Sequence, residues 1–514
     1  MLWPQLTAIM ENSKLFRLLR SFTKAEIREL EKFINSPYFS RGRDCAAFFR
    51  LIKTGWPEFS GIDVAKESLY EKLYPGKIYG DKRSKSILST LSSELYTLVL
   101  DFLVYSKLKS DERARKLLLL RNLLDKELYR EFDNTYNDTI TDDTLNENSE
   151  KRGSAGNFLE SFRLGYIYNE YAWKRSDMDG LYNGLLKSTN DALAFALITA
   201  YKFIDTKDTA SVTFNIKTGH TFADILLGSL DNEKMLAGLK EFYPELYPYI
   251  SANHLVYMMN RNKTEKSDEG LKFYHKLKDT MDKDPGAFGH SEKYMLYQAL
   301  ENYMAIRLEQ NQQEKENYSE LFDIYKHSLE QGVYKVSKES NIEPTVFRNI
   351  LMTACDMNEF EWAESFIEKY SPELPGEFAE SMRSHAYSTL YFNKGEFEKA
   401  LKYIVNIKYD YLRHKLDVRV LQFKIFYELA SYEPAFNILD TLRHYISSSE
   451  EISPLVRTRF TGFIKYAGEL LRGKTSTAGR AAKKGNPTEE ILVRLQKESA
   501  VESATWVGNK LKSL

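Results

Sequence analysis

The chain is poor in cysteine: Cys45 and Cys355 are the only two in 514 residues. Two cysteines that far apart form neither a disulfide framework nor a Cys-x2-Cys metal site. The expectation is a pair of small buried apolar side chains in a reducing compartment. An excess of one charge is also missing. Lys and Arg number 72 against 73 Asp and Glu, a net charge of −1, which excludes a generally basic nucleic-acid coat and an acidic solvating chain. Long apolar runs are missing too. The most apolar windows, 96–108 (interrupted by Asp101) and 192–204, fall short of the ~18–20 residues a membrane helix needs. No basic segment precedes an apolar one at the start, so no secretory signal is read there. Met10 opens a more natural-looking start than Met1. The working expectation is a cytoplasmic protein with no membrane partner.

What the sequence does contain is helix-forming pattern. At about 150 residues per domain the length implies about three units, unless repeats let one architecture run longer. Thr23 and Glu26 form a capping box, in which the hydroxyl accepts from a first-turn N–H and the carboxylate reaches back. Ile27, Leu30, Phe33 and Ile34 then share one face, and Ser36-Pro37 stops the helix. Further helices are predicted over 43–54, 64–74, 81–107 and 112–132, the last with a Leu117, Leu120, Leu124, Leu128 stripe. Two polar loops are expected, near 133–157 and 205–219, the second with a weak strand signal at 210–216. A basic flexible linker is read over 471–487 and a capping helix over 488–514.

The clearest pattern lies between Thr345 and Ile446. Asn358-Glu-Phe-Glu-Trp-Ala363, Gly395-Glu-Phe-Glu-Lys-Ala400 and Ala430-Ser-Tyr-Glu-Pro-Ala435 repeat at 37 and then 35 residues, counted from alanine to alanine. Each has a turn residue, an aromatic two later, an acid, and an alanine where two helices approach closely. A large apolar residue stands four after each alanine: Ile367, Ile404 and Leu439. This segment resembles tetratricopeptide repeats, helix-turn-helix units of ~34 residues. In that alignment Ala400 is the second-helix alanine, Tyr391 the first-helix aromatic, Ser388 the small packing residue and Pro375 a terminal proline. The first-helix Trp-x2-Leu-Gly signature is absent, and Leu351 and Phe423 stand where the family prefers a small residue. The whole chain is also similar to uncharacterised bacterial helical-repeat proteins.

The resemblance implies an all-α fold: an N-terminal helical domain over 1–110, then a tetratricopeptide-like α-solenoid over 111–470. It also implies a protein or peptide partner held on the concave face of the first helices. In this register that face includes Arg348, Asp356, His385, Asn393 and Lys424. No catalytic, metal or cofactor residue is assigned, and none is expected.

Other motifs are weighed against this. Gly468, Gly473, Lys474 and Thr475 fit Gly-x4-Gly-Lys-Ser/Thr, a phosphate-loop pattern. However, Arg459 to Tyr466 reads as helix where a strand is required, and Gly473 looks like a helix-terminating glycine. The match is taken as fortuitous. The eight histidines contain no His-Glu-x2-His and no i, i+4 pair. The 34 Tyr and 30 Phe are read as inter-helix core.

Residues 1–110 carry 18 Lys and Arg against 12 Asp and Glu, a local +6. Residues 64–75 with Ile87, Leu88, Leu91 and Leu95 faintly resemble the helical pair of winged-helix transcriptional activators. That implies an alternative, a DNA-binding regulator with Lys82, Arg83 and Lys85 at a helix start facing phosphates.

Overall fold

A computed structural model of the chain describes residues 13–39, 44–59, 65–145, 153–214, 216–262, 268–310, 315–405, 407, 412–449, 452–475, 487–498 and 501–513. The choice between Met1 and Met10 lies outside them. The described residues hold twenty-four α-helices, one short 3-10 turn and no strand, so the all-α expectation stands. The chain divides into two compact units, Met1–Thr141 and Asp142–Leu514.

The first unit is built around one long helix. Lys82–Ser110 presents Leu88, Leu91, Leu95, Leu98, Val99 and Phe102 to the core, a 3.6-period stripe that needs apolar partners. Those partners are Leu15, Phe16 and Leu19 from Lys14–Arg20, Ile27, Leu30 and Phe33 from Lys24–Ile34, and Phe48, Phe49 and Ile52 from Cys45–Lys53. Thr23 accepts from the Glu26 N–H at 3.2 Å, and the Thr23 N–H donates to the Glu26 carboxylate at 2.7 Å. The capping box therefore forms as read. Taken whole, Lys82–Ser110 has 29 residues and a stretch of mean hydropathy 1.5, long and apolar enough by length and composition to cross a membrane. This corrects the estimate from 96–108 alone.

The second unit stacks its helices in chain order. Its apolar side chains fall into four clusters, each drawn from a stretch of neighbouring helices: one within 155–258, one within 249–403, one within 391–429 and one within 416–511. This is how a repeat array buries surface, each pair of helices against the next. The repeat alanines Ala363, Ala400 and Ala435 are fully buried, as are Ile367, Ile404 and Leu439. Ser388 donates to the Ala400 carbonyl at 2.9 Å where the two helices meet.

One turn recurs along the chain. At Asn358, Gly395 and Ala430 the backbone is left-handed, with φ of 59°, 78° and 53°. Each following residue donates to the carbonyl five residues back: Glu359 to Ala354, Glu396 to Tyr391, Ser431 to Phe426. This is the Schellman closure of a helix C-terminus. Glu127, Ser176 and Gly332 carry the same left-handed φ, with Leu128 bonded to Leu123, Asp177 to Ala172 and Val333 to Ser328.

Several sequence expectations are corrected. The polar segment expected as a loop at 133–157 is helical through Leu145 and again from Ala155. Its threonines bond back into the helix, Thr135 to Glu131 and Thr139 to Thr135, and no glycine or proline interrupts 133–145. Residues 205–214 belong to the helix Met178–Phe214, so the strand signal is overruled as far as Phe214. The 112–132 helix is two, Glu112–Asp125 and Tyr129–Leu145. Leu120 and Leu124 are buried while Leu128 lies beyond the turn at Glu127, exposed. Pro454–Thr475 runs straight through Gly473; the rest of the expected linker, 476–486, lies outside the described residues. The capping helix is broken into Pro487–Lys497 and Ala504–Lys512, with Ser503 left-handed between them.

Candidate functional site

The first helices of the repeat segment are Pro344–Asp356, Gly376–Asn393 and Leu412–Glu428. Arg348 sits on the first and Asp417 on the third. The guanidinium clasps the carboxylate with two N–H groups, Nη2 at 3.0 Å from Oδ1 and Nε against Oδ2. Its Nη1 donates to Asn349 at 2.8 Å. The two side chains are 14% and 9% exposed, so this is a bidentate, largely desolvated pair.

Asp356 ends the first of these helices. Its surface is open to water, yet the protein around it pushes its carboxyl up to about 6, against the pull of Lys424 and Arg348. Lys424 answers from the third helix. Burial lowers its ammonium, while Glu502, Asp356 and Asp417 work in the opposite direction. Carboxylates and cations thus alternate through one charged cluster: Asp417, Arg348, Asp356, Lys424 and Glu502. The C-terminal segment closes its end. Lys424 lies 5.7 Å from the Trp506 ring centroid, Trp506 donates to Glu428 at 3.2 Å, and Lys510 pairs with Glu428 at 2.7 Å. Glu502 bonds Arg459 at 3.1 Å.

Of the five residues expected on this face, Arg348, Asp356 and Lys424 come together there. His385 does not line an open surface. It is 4% exposed, its ring lies 5.2 Å from that of His414, and burial lowers its imidazole to about 3. The cause is that His385 faces the neighbouring first helices, among His414, Asp417 and Arg348, and is covered by them. Asn393 is exposed, and its amide donates to Thr389 at 2.8 Å within its own helix. Sequence reading missed Asp417, Glu502 and Trp506. Arg348 and Asp417 are 69 residues apart, so no local spacing announces the pair, and Trp506 had only its size to mark it.

A second concavity of about 530 Å³ lies among Asn157, Ser161, Asn183, Lys187, Asp191 and Tyr243. Ser161 donates to Asp191 at 2.6 Å, and Lys187 donates to both Ser161 (2.6 Å) and Asp191 (2.9 Å). Ser161, Asp191 and Lys187 thus bond one another across the helices Ala155–Lys174 and Met178–Phe214. The cluster is a clamp between two helices.

The phosphate-loop match lies wholly within Pro454–Thr475. Helical N–H groups donate to carbonyls four residues back, so that stretch makes no phosphate cradle. Lys82, Arg83 and Lys85 are exposed at the start of Lys82–Ser110. The helix N-terminus beside them is already capped by a carboxylate, Asp81, which accepts from the Ser84 N–H at 2.7 Å. Those Ser84 bonds hold the Asp81 carboxyl below its usual range. No wing strand accompanies this helix among the described residues. No group of three or more His, Cys, Asp or Glu is placed to hold a metal among the described residues. Both cysteines are buried thiols, and burial pushes Cys355 up to about 12. No family model, no curated protein and no solved structure matches this chain.

Proposed function

We propose that the chain is a non-enzymatic binding protein, a tetratricopeptide-like scaffold that holds a protein or peptide partner at the charged cluster of its first helices. The observation that carries this reading is the alternation of Asp417, Arg348, Asp356, Lys424 and Glu502 in one charged cluster, of which Asp356 is exposed to water. Asp356 and Lys424 are held there with their charges disfavoured by the surrounding protein. A partner bearing complementary charges offsets that cost, which gives the cluster a preference for a ligand over water.

The test uses the tagged full-length chain purified from its native cell, wild type beside Lys424→Glu. The reading requires a stoichiometric protein partner with the wild type and its loss with the variant, at unchanged helical circular dichroism. A wild type that returns no stoichiometric partner sinks it. The alternative, a DNA-binding regulator, rests on the exposed Lys82, Arg83 and Lys85. It predicts a gel shift that weakens steeply between two salt concentrations and is lost in the triple alanine variant.

A further inference from the structure

The helices Ala155–Lys174 and Met178–Phe214 form a hairpin whose polarity is inside out. The seam between them is small and polar. A Cβ on Gly165 would meet Ser188 at 2.9 Å, and one on Gly184 would meet the Asn169 side chain at 2.3 Å. Asn169 donates to Ser188 at 3.0 Å, and Ser161 to Asp191 at 2.6 Å. Six large apolar side chains lie on the outside instead: Tyr166, Trp173, Tyr182, Leu185, Leu186 and Leu193 are all exposed.

On the second helix this exposure is ordered. Tyr182, Leu186, Thr189, Leu193, Ala196 and the half-buried Ala200 follow one another at steps of 4, 3, 4, 3 and 4, the seam of a coiled coil. Tyr182 is 68% exposed and Leu193 58%, so nothing in the described chain covers them. A soluble surface helix places charge on such a stripe. Between Met178 and Tyr201, however, the only charged residues are Asp179, Lys187 and Asp191, and the last two are paired with each other at 2.9 Å.

We infer that this stripe is the contact by which two copies of the chain pair, antiparallel, about a two-fold axis near residue 191. Three observations choose a second copy. The flanks of the seam are electrically neutral, so a copy meets no like-charge repulsion and no partner of opposite sign is called for. The order of side-chain sizes is self-complementary: antiparallel pairing sets Tyr182 against Ala200, Leu186 against Ala196 and Leu193 against Thr189. A large residue thus meets a small one at every level, as close packing requires. The exposed area also suffices. At about 150–250 Å² per aromatic side chain, the stripe and its neighbours Met178, Leu185 and Phe203 offer roughly 800 Å² per copy, the share one partner gives to a standard interface.

The test is sedimentation equilibrium of the full chain, with flotation on neutral phosphatidylcholine vesicles alongside. The wild type should sediment at twice 59.8 kDa, insensitive to salt. Leu186→Glu/Leu193→Glu should dissociate at least 100-fold more readily with its helical content intact, both side chains being exposed. Mixing the single variants Thr189→Cys and Leu193→Cys should give a covalent dimer on mild oxidation, because each chain then carries one new thiol and the two positions face each other across the antiparallel pair. A wild type that stays monomeric at 100 µM overturns the inference. A dimer that survives the glutamates, or a mixture of the cysteine variants that gives no covalent dimer, does the same. A monomer that floats with vesicles would assign the apolar stripe to lipid.

Discussion

The two units bury different things. In Met1–Thr141 the buried polar side chains among the described residues are Ser84 and Thr139, and neither titrates. In Asp142–Leu514 the buried polar set includes Asp191, His254, Glu292, Glu301, His385 and His414. In the first unit the helices from Lys14 to Ser110 close around one long helix, so their apolar stripes share a single core. The second spreads its core over four clusters along the chain. Its helix pairs must therefore also meet one another through polar contacts such as Arg348 with Asp417 and Lys202 with Glu292. An array buys length at the expense of a single dry interior. Its charged clusters follow from the same architecture.

The largest expected effect tests whether the core architectures differ in reach. Phe48 and Phe463 are both fully buried aromatics, and truncating either to alanine should cost about 3–5 kcal/mol. For Phe48→Ala, amide exchange should accelerate across all the helices from Lys14 to Ser110, because they share one core. For Phe463→Ala, it should accelerate within residues 412–512 and leave the helices around Leu277 and Leu300 protected. Uniform acceleration throughout the second unit would erase the distinction.

Next comes the ion pair. Arg348→Ala leaves Asp417 largely desolvated and without its bidentate partner, which costs about 3 kcal/mol by urea denaturation. The counterpart in the first unit is Lys53 with Glu31 at 2.6 Å, each about a third exposed. Lys53→Ala should cost under ~1 kcal/mol. Equal costs would mean that burial does not separate the two pairs.

Glu301 sharpens the comparison through pH. It is buried, accepts from Gln298 at 2.6 Å, and burial raises its carboxyl to about 8 from 4.5. Between those values the folded chain holds a proton that the unfolded chain has released. Its contribution is therefore fully present below pH 4.5 and is lost as pH rises toward 8. Glu301→Gln mimics the protonated acid. It should gain about 2 kcal/mol at pH 8 and nothing at pH 4.5, less than the full linkage because the amide adds donors to a site built for one. The buried imidazoles run the other way. His254 and His385 are lowered by burial to about 4 and about 3, so their contribution is lost as pH falls below 6.5. The first unit contains no histidine at all.

How much of this the sequence disclosed depends on the kind of signal. Periodic apolar residues gave away the helices of the first unit, and Ala363, Ala400 and Ala435 gave away the helix pairs, because close approach leaves a composition mark. Polar helices did not show themselves. The 133–145 segment reads as loop by its Asn, Asp and Thr, while in the structure its threonines satisfy the backbone four residues back. The charged cluster was half legible. Helical register put Arg348, Asp356 and Lys424 on the first helices, but it gave no sign that Asp417, on the same helix as Lys424, pairs with Arg348, and Glu502 and Trp506 arrive from the C-terminal segment. The hairpin stripe at Tyr182, Leu186 and Leu193 was within reach of periodicity, and only burial shows that it faces outward.

The smallest expected effect bears on the turn that repeats. Gly395 and Ala430 hold the same place in successive units and the same left-handed backbone, with φ of 78° and 53°. A glycine adopts that conformation freely, whereas an alanine pays about 1 kcal/mol or more. The sequence therefore advertises the turn at Gly395 and hides it at Ala430, as it does at Glu127 and Ser176. If the two positions are equivalent, exchange should be antisymmetric. Gly395→Ala meets no steric contact within 4 Å, so its cost is the backbone alone, about 1 kcal/mol. Ala430→Gly relieves the same strain against a loss of unfolded-chain restriction worth about 0.4–1 kcal/mol, leaving a gain of up to ~0.5 kcal/mol. Thermal denaturation should show a lowered midpoint for the first and a level or raised midpoint for the second. A midpoint that falls in both variants would mean that Ala430 is held by its neighbours in a way Gly395 is not, and the repeat would then be one of sequence without being one of energy.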